Sequence, residues 1–241
     1  MSEGANKAFR KDPAKFLMNN AIILKEGGMP AVAGCYKVNL RASTFDQVTD
    51  ENDRVIPVWI PYLAQRDPHV IRSKTKQVGD VTVGRMVLPG KSKSLSSNQF
   101  KAFYIPWGPD ATHVIDLDGQ ADFAFTPGLT GCSFAATGGP NPRAGHFNYQ
   151  KPGTDKVSPK LTRRAVREEF GGERGVSIVR KDYIQDDGDM QRYVFIVGWR
   201  EKTGWKFYRQ HLEYAGAGKG ILYRRVAAPS RIDNVHRFGS V

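Results

Sequence analysis

Cys132 and His146 are the two side chains in this sequence best suited to covalent chemistry. Cys132 closes the segment Phe125-Thr126-Pro127-Gly128-Leu129-Thr130-Gly131-Cys132, and His146 follows a bend rich in glycine and proline. A cysteine on a glycine turn with one histidine shortly downstream is the layout of a thiolate nucleophile and its base. Gly131 lets the turn adopt φ values that a side chain would forbid. The backbone N–H groups of Gly131 and Cys132 can then converge on one spot as an oxyanion hole. An adjacent imidazole would lower the thiol pKa and favour the thiolate. Thr126, upstream of the cysteine, is the candidate third group, orienting His146 through its carbonyl or its hydroxyl. The competing reading is structural, because a lone cysteine commonly behaves as a small buried hydrophobe.

Such a pair needs elements to hold it. Phe123, Phe125 and Phe134-Ala135-Ala136 read as strands around an accessible turn. Thr137-Gly138-Gly139-Pro140-Asn141-Pro142-Arg143 is loop chemistry, and Ala144–Tyr149 reads as the return strand. A hairpin of that form would set Cys132 beside His146. Elsewhere, strands are expected over Ala21–Leu24, Ala31–Arg41, Arg54–Ile60, Val81–Leu88, Lys101–Trp107, Thr112–Leu117, Val176–Lys181, Arg192–Arg200, Trp205–Tyr214 and Ile221–Val226. Pro57 implies an edge or bulge. One strong helix is expected from Ser158-Pro159 to Phe170-Gly171, with serine as cap, proline in the first turn and glycines after the end. Its outer face carries Arg163, Arg164 and Arg167. Residues 1–15 are polar and expected to be flexible or weakly helical.

At these residues the chain resembles the cysteine–histidine glutamine deamidases. Members include the catalytic domain of the cytotoxic necrotizing factors, the chemotaxis receptor deamidase and the Burkholderia lethal factor. Phe125-Thr126-x-x-Leu129-Thr130-Gly131-Cys132 is similar to the Phe-Thr-x-x-Leu-Ser-Gly-Cys segment of the last. Gly138-Gly139-Pro140 and Ile105-Pro106-Trp107 also have counterparts there, and the resemblance spans about residues 103–149. It implies an α/β protein: a β-sandwich of mixed or largely antiparallel sheets with peripheral helices and long loops. It also implies a secreted bacterial toxin or effector that acts in a host cytosol and converts a protein glutamine to glutamate. The family's targets include a translation-initiation RNA helicase and Rho-type GTPases. The mechanism needs no metal or organic cofactor.

Composition narrows the alternatives. The chain has 241 residues, enough for a single catalytic domain, and only two cysteines, so a disulfide framework is not expected. Val32-Ala33-Gly34-Cys35 resembles a lipoprotein processing box. Lys25, Glu26, Asn19 and Asn20 interrupt the apolar stretch that a signal peptide requires, so Cys35 reads as a strand residue. No apolar run is long enough to span a membrane. Asp186-Asp187-Gly188-Asp189 reads as a hairpin turn rather than a calcium loop. His69, His113, His211 and His236 lack metal-ligand spacing.

The net charge of +12 suits a partner with an acidic face. A basic nucleic-acid-binding protein is the non-enzymatic alternative, but no recognition motif accompanies the charge. A cysteine peptidase or a transglutaminase-like enzyme is the enzymatic one.

Overall fold

The computed structural model describes residues 2–24, 29–66, 71–77, 80–86, 95, 99–154, 156–184, 192–217 and 221–239, with backbone alone at residues 2, 64–66, 71–77, 80–86 and 217. The Asp186–Asp189 turn lies wholly outside the described residues.

Two helices open the chain, α1 (Ser2–Lys11) and α2 (Pro13–Asn19). The strands up to the candidate site are β1 (Ala21–Ile22), β2 (Gly34–Ala42), β3 (Gln47–Thr49), β4 (Val55–Ile56), β5 (Val58–Arg66), β6 (Ile71–Gln77), β7 (Asp80–Met86), β8 (Phe100–Tyr104), β9 (Ala111–Asp116) and β10 (Phe123–Phe125). There follow β11 (Ser133–Thr137), β12 (Arg143–Asn148), α3 (Pro159–Phe170), β13 (Arg174–Ile178), β14 (Arg192–Glu201), β15 (Gly204–Ala217), β16 (Ile221–Arg231) and β17 (His236–Arg237).

The strands form two sheets, as the sandwich expectation required. The first runs β1-β5-β2-β8-β10-β14-β15-β16-β3-β4, and the second runs β17-β13-β11-β12-β9-β6-β7. In the first sheet β1/β5, β8/β10 and β16/β3 are parallel and the other pairs are antiparallel, whereas the described pairs of the second are all antiparallel. Pro57 separates β4, at one end of the first sheet, from β5, near the other end. The sheet must therefore curl like a barrel to bring those ends together. Proline cannot donate to a ladder, so it fits this break between strands.

Three apolar clusters define four layers. Between the sheets lie Phe103, Ile105, Ala124, Leu129, Val194, Ile196 and Phe207 from the first sheet and its flanking segments. Opposite them are Ile115, Phe134, Ala136, Ala144 and Ile178 from the second. The far side of the first sheet packs on the N-terminal helices through Phe9, Phe16, Phe100, Phe123 and Phe125. The far side of the second packs on α3 through Val114, Ala135, Phe147, Ala165 and Phe170. Alternation along β10 follows from this: Phe123 and Phe125 face the helices, while Ala124 faces the inter-sheet core.

Of the two readings of residues 1–15, the structure shows the helical one: Ser2–Lys11 is helical and its Phe9 is fully buried. Phe9 packs against Phe100, Phe123 and Phe125 at ring-centroid distances of 5.6, 5.0 and 5.9 Å. The Asn6 Oδ1 accepts the Leu40 N–H at 2.9 Å, fixing α1 to β2. A polar composition concealed a helix whose few apolar residues share one face. The helix α3 matches its expected boundaries, with the Ser158 side chain accepting the Leu161 N–H.

Candidate active site

The candidate site is built where the chain passes from one sheet to the other. After β10 it continues alongside β14, with Thr126 N–H donating to Ile196 O at 3.3 Å and Leu129 exchanging two hydrogen bonds with Val194. Thr130 is exposed and marks the crossing. Gly131 has φ +144°, and a Cβ there would lie 3.1 Å from Val157 Cγ2. Both the backbone conformation and the close approach call for glycine. Cys132 then enters the second sheet. The strands flanking the turn therefore belong to different sheets, and the hairpin that follows Cys132 and carries His146 is the β11/β12 pair.

Register decides which side chains meet. Ser133 pairs with Phe147 and Phe134 with His146. His146 pairs in turn with His113 on β9. Directly paired residues share a face, as do residues two apart on one strand. Cys132, Phe134, His146 and His113 thus all face the inter-sheet space. Extending the β11/β12 ladder one residue back sets Cys132 against Asn148. His146 is then the diagonal neighbour of Cys132, at about 7 Å between strands, a gap that a long side chain can span. Thr126, which pairs with Ile196, faces the same space from the opposite sheet.

Burial controls the electrostatics. Cys132 is 2% exposed and His146 is 1% exposed, so the accessible turn expected from sequence is a covered one. Neither ring nitrogen of His146 has a hydrogen-bond partner. The imidazole is pushed down to about 3, first by burial and then by repulsion from His113. Burial pushes His113 down to about 4. At neutral pH His146 is therefore an uncharged base. The expected thiolate held by an imidazolium is not its resting arrangement, because no solvent reaches the ring to stabilise the cation.

Thr126 is not bonded to His146. Its hydroxyl donates to the Pro127 carbonyl at 2.8 Å, and the imidazole nitrogens accept and donate no hydrogen bond. The Gly131 N–H is also engaged. It donates to the Tyr183 hydroxyl at 2.8 Å, and that hydroxyl donates to the Cys132 carbonyl at 2.7 Å. Tyr183 therefore clamps the Gly131-Cys132 turn from the segment after β13, and an oxyanion hole using the Gly131 N–H needs that hydroxyl to give way.

Tyr183, His113 and Asn148 were not singled out by sequence. Asn148 is 2% exposed, donates through Nδ2 to the Gly108 carbonyl at 3.2 Å, and leaves Oδ1 unpartnered. Gly108 also abuts His113, since a Cβ at Gly108 would lie 2.9 Å from His113 Nε2. The loop after β8, carrying the Ile105-Pro106-Trp107 segment, is thus held against His113 and Asn148. The strand that carries His113 was legible; its pairing with His146 was not. Cys35, as expected, is a strand residue and is fully buried. Among the described residues no group of three or more His, Cys, Asp or Glu side chains could hold a metal, and no helix is long and apolar enough to cross a membrane.

No protein-family model matches the chain, and no curated protein does. Among solved structures the chain is similar to the C-terminal domain of CNFy from Yersinia pseudotuberculosis, a cytotoxic necrotizing factor. The identity is 10% and the TM-score 0.41, over 98% of this chain and 97% of that one. That neighbour is a necrotizing factor and not the Burkholderia lethal factor. A likeness this distant leaves the chemistry to the site's own geometry.

Proposed function

We propose that the protein is a toxin-like glutamine deamidase, with Cys132 as nucleophile and His146 as general base and acid. The observation that carries this reading is the His146 imidazole, fully buried, without a hydrogen bond, on the same inter-sheet face as Cys132. An orphaned buried polar group costs about 1–3 kcal/mol and calls for a compensating role. A neutral imidazole beside a thiol supplies one, since it can take the thiol proton as the sulfur attacks.

In this scheme Cys132 Sγ attacks the glutamine side-chain carbonyl carbon while His146 takes the thiol proton. The tetrahedral oxyanion is met by backbone N–H groups at the turn, that of Cys132 first and that of Gly131 once Tyr183 yields it. His146 returns the proton to the amide nitrogen, the C–N bond breaks and ammonia leaves, giving a thioester. His146 then deprotonates a water, which attacks the thioester, and the proton returns to the departing sulfur. The product is glutamate. Thr126 is assigned the positioning of the imidazole once the substrate has opened the site. The cover over Cys132 must part for a protein side chain to enter, and the segment around Gly108 is one part of it.

The substrate is proposed to be a host protein, with a translation-initiation helicase and Rho-type GTPases as the candidates the resemblance supplies. The protein would be secreted by a bacterium and act in the host cytosol. Mass spectrometry of host lysate treated with wild type or Cys132→Ser tests the reading. A gain of about one dalton at a glutamine, seen with wild type alone, is expected, because ammonia release followed by thioester hydrolysis replaces the amide NH2 by OH. Chain cleavage would indicate a peptidase, and incorporation of an added amine a transglutaminase.

A further inference from the structure

The outer face of the second sheet carries a groove of about 680 Å³, on the opposite side of the sheet from Cys132. Arg163 and Arg167 of α3 line one wall, Arg180 and Lys181 of the turn after β13 another, and Arg237 of β17 a third. One carboxylate, Asp182, lies among them, and its Oδ2 is already occupied by the Val179 N–H at 2.8 Å. The cations come from three separate elements, so their convergence is a tertiary feature rather than one solvated helix face.

A second observation is independent of charge. Thr162 lines the same groove, is 2% exposed, and its hydroxyl has no hydrogen-bond partner. A buried hydroxyl left open in a cationic groove is a ready donor to a carboxylate. Val157, Val166 and Phe238 line the space between the cations. A single small oxyanion would leave most of this volume and all of its apolar wall unused. A peptide bearing both acidic and apolar side chains would use both. Gly131 and Ser133 also line the groove, and they flank Cys132 on either side.

We infer that this groove docks an acidic segment of the protein substrate. The inference rests on the deamidase reading for the identity of its occupant. Carboxylates of the segment meet Arg163, Arg167, Arg180 and Lys181, one of them accepts the Thr162 hydroxyl, and the chain is led towards the turn at Thr130-Gly131. Opposite charge on the two surfaces speeds encounter and selects the partner.

The test uses the full chain carrying Cys132→Ser and a fluorescein-labelled peptide of alternating glutamate and leucine, followed by fluorescence anisotropy. Salt-sensitive binding is expected, weakened at least about tenfold by Arg163→Glu with Arg167→Glu, and measurably by the isosteric Thr162→Val, as for loss of charged interface contacts. A lysine–leucine peptide should not bind. On the wild-type background the double arginine variant should slow lysate deamidation yet leave the iodoacetamide reactivity of Cys132 unchanged. Equal peptide affinity for the double variant overturns the proposal. So does complete displacement of the peptide by inorganic phosphate, which would mark a single-oxyanion site. Peptide binding that depends on the arginines, in a protein that deamidates nothing, would support the groove and remove the catalytic reading instead.

Discussion

His146 pairs directly across the β12/β9 ladder with His113, so two imidazoles share one buried face beside Cys132. Burial disfavours protonation of both rings, and His113 adds repulsion at His146. His146 is pushed down to about 3 and His113 to about 4, from an ordinary 6.5. A site built this way holds its base neutral and makes the fold sensitive to acid.

The first prediction concerns stability. Both folded-state pKa values lie below the unfolded value, so the unfolded chain binds more protons at mildly acid pH. Stability is complete above about pH 6.5 and is lost as pH falls towards 4, at about 1.4 kcal/mol per pH unit for each histidine. Urea melts across this range should show that slope, and His146→Phe should remove its own share. An unchanged slope in the variant would mean that His146 is protonated in the native state.

Thiol labelling follows from the same neutrality. Without an imidazolium partner, Cys132 should not show a plateau of iodoacetamide reactivity at mildly acid pH. Its labelling should instead climb with pH, and His146→Ala should slow it near neutrality by removing the base. Cys132 should still react ahead of Cys35, which is fully buried inside β2. A low-pH plateau at Cys132 would restore the ion-pair picture.

Removing the Tyr183 hydroxyl tests the clamp on the turn. Tyr183→Phe leaves the buried Gly131 N–H without its acceptor and the Cys132 carbonyl without that donor. The expected cost is about 1–3 kcal/mol in a denaturant melt. Deamidation measured by ammonia release should change with it, because the N–H of Gly131 is redirected. Wild-type stability and rate together would make the contact incidental.

Cys132→Ser should abolish ammonia release and also lower stability. The side chain sits in the apolar inter-sheet cluster, where an added hydroxyl costs about 1–3 kcal/mol. His146→Ala should cost about 2–5 kcal/mol as a buried truncation, offset in part by loss of an orphaned ring. Melts and ammonia assays on both variants give the comparison. Full activity in Cys132→Ser would place the nucleophile elsewhere.

Gly108→Ala probes the loop over the histidines. Its Cβ would come within 2.9 Å of His113 Nε2 and 3.3 Å of Ala111 Cβ. The loop or the ring must shift, with an expected loss of about 1–3 kcal/mol. The pH slope assigned to His113 should shrink as that ring gains access to water. Retention of the full slope would show that the loop does not seal the site.

What the sequence settled by itself was local. Glycine before Cys132, the Ser158-Pro159 opening of α3 and the strand-forming runs that became β9, β12 and β14 are legible because caps, turns and strand-forming residue types depend on near neighbours. The proposal of Cys132 and His146 as the reactive pair rests on residue type, spacing and the family resemblance. The tertiary structure decided the rest. It set the two strands flanking Cys132 in different sheets, buried Phe9 under β10 and split the segment around Pro57 between the two ends of a curled sheet. It also brought His113 and Tyr183 to a site that neither adjoins in sequence. Register and long-range packing govern these outcomes. A strand's sequence states which face is apolar, but the partner that lies across it is fixed only when the sheets assemble around their shared core.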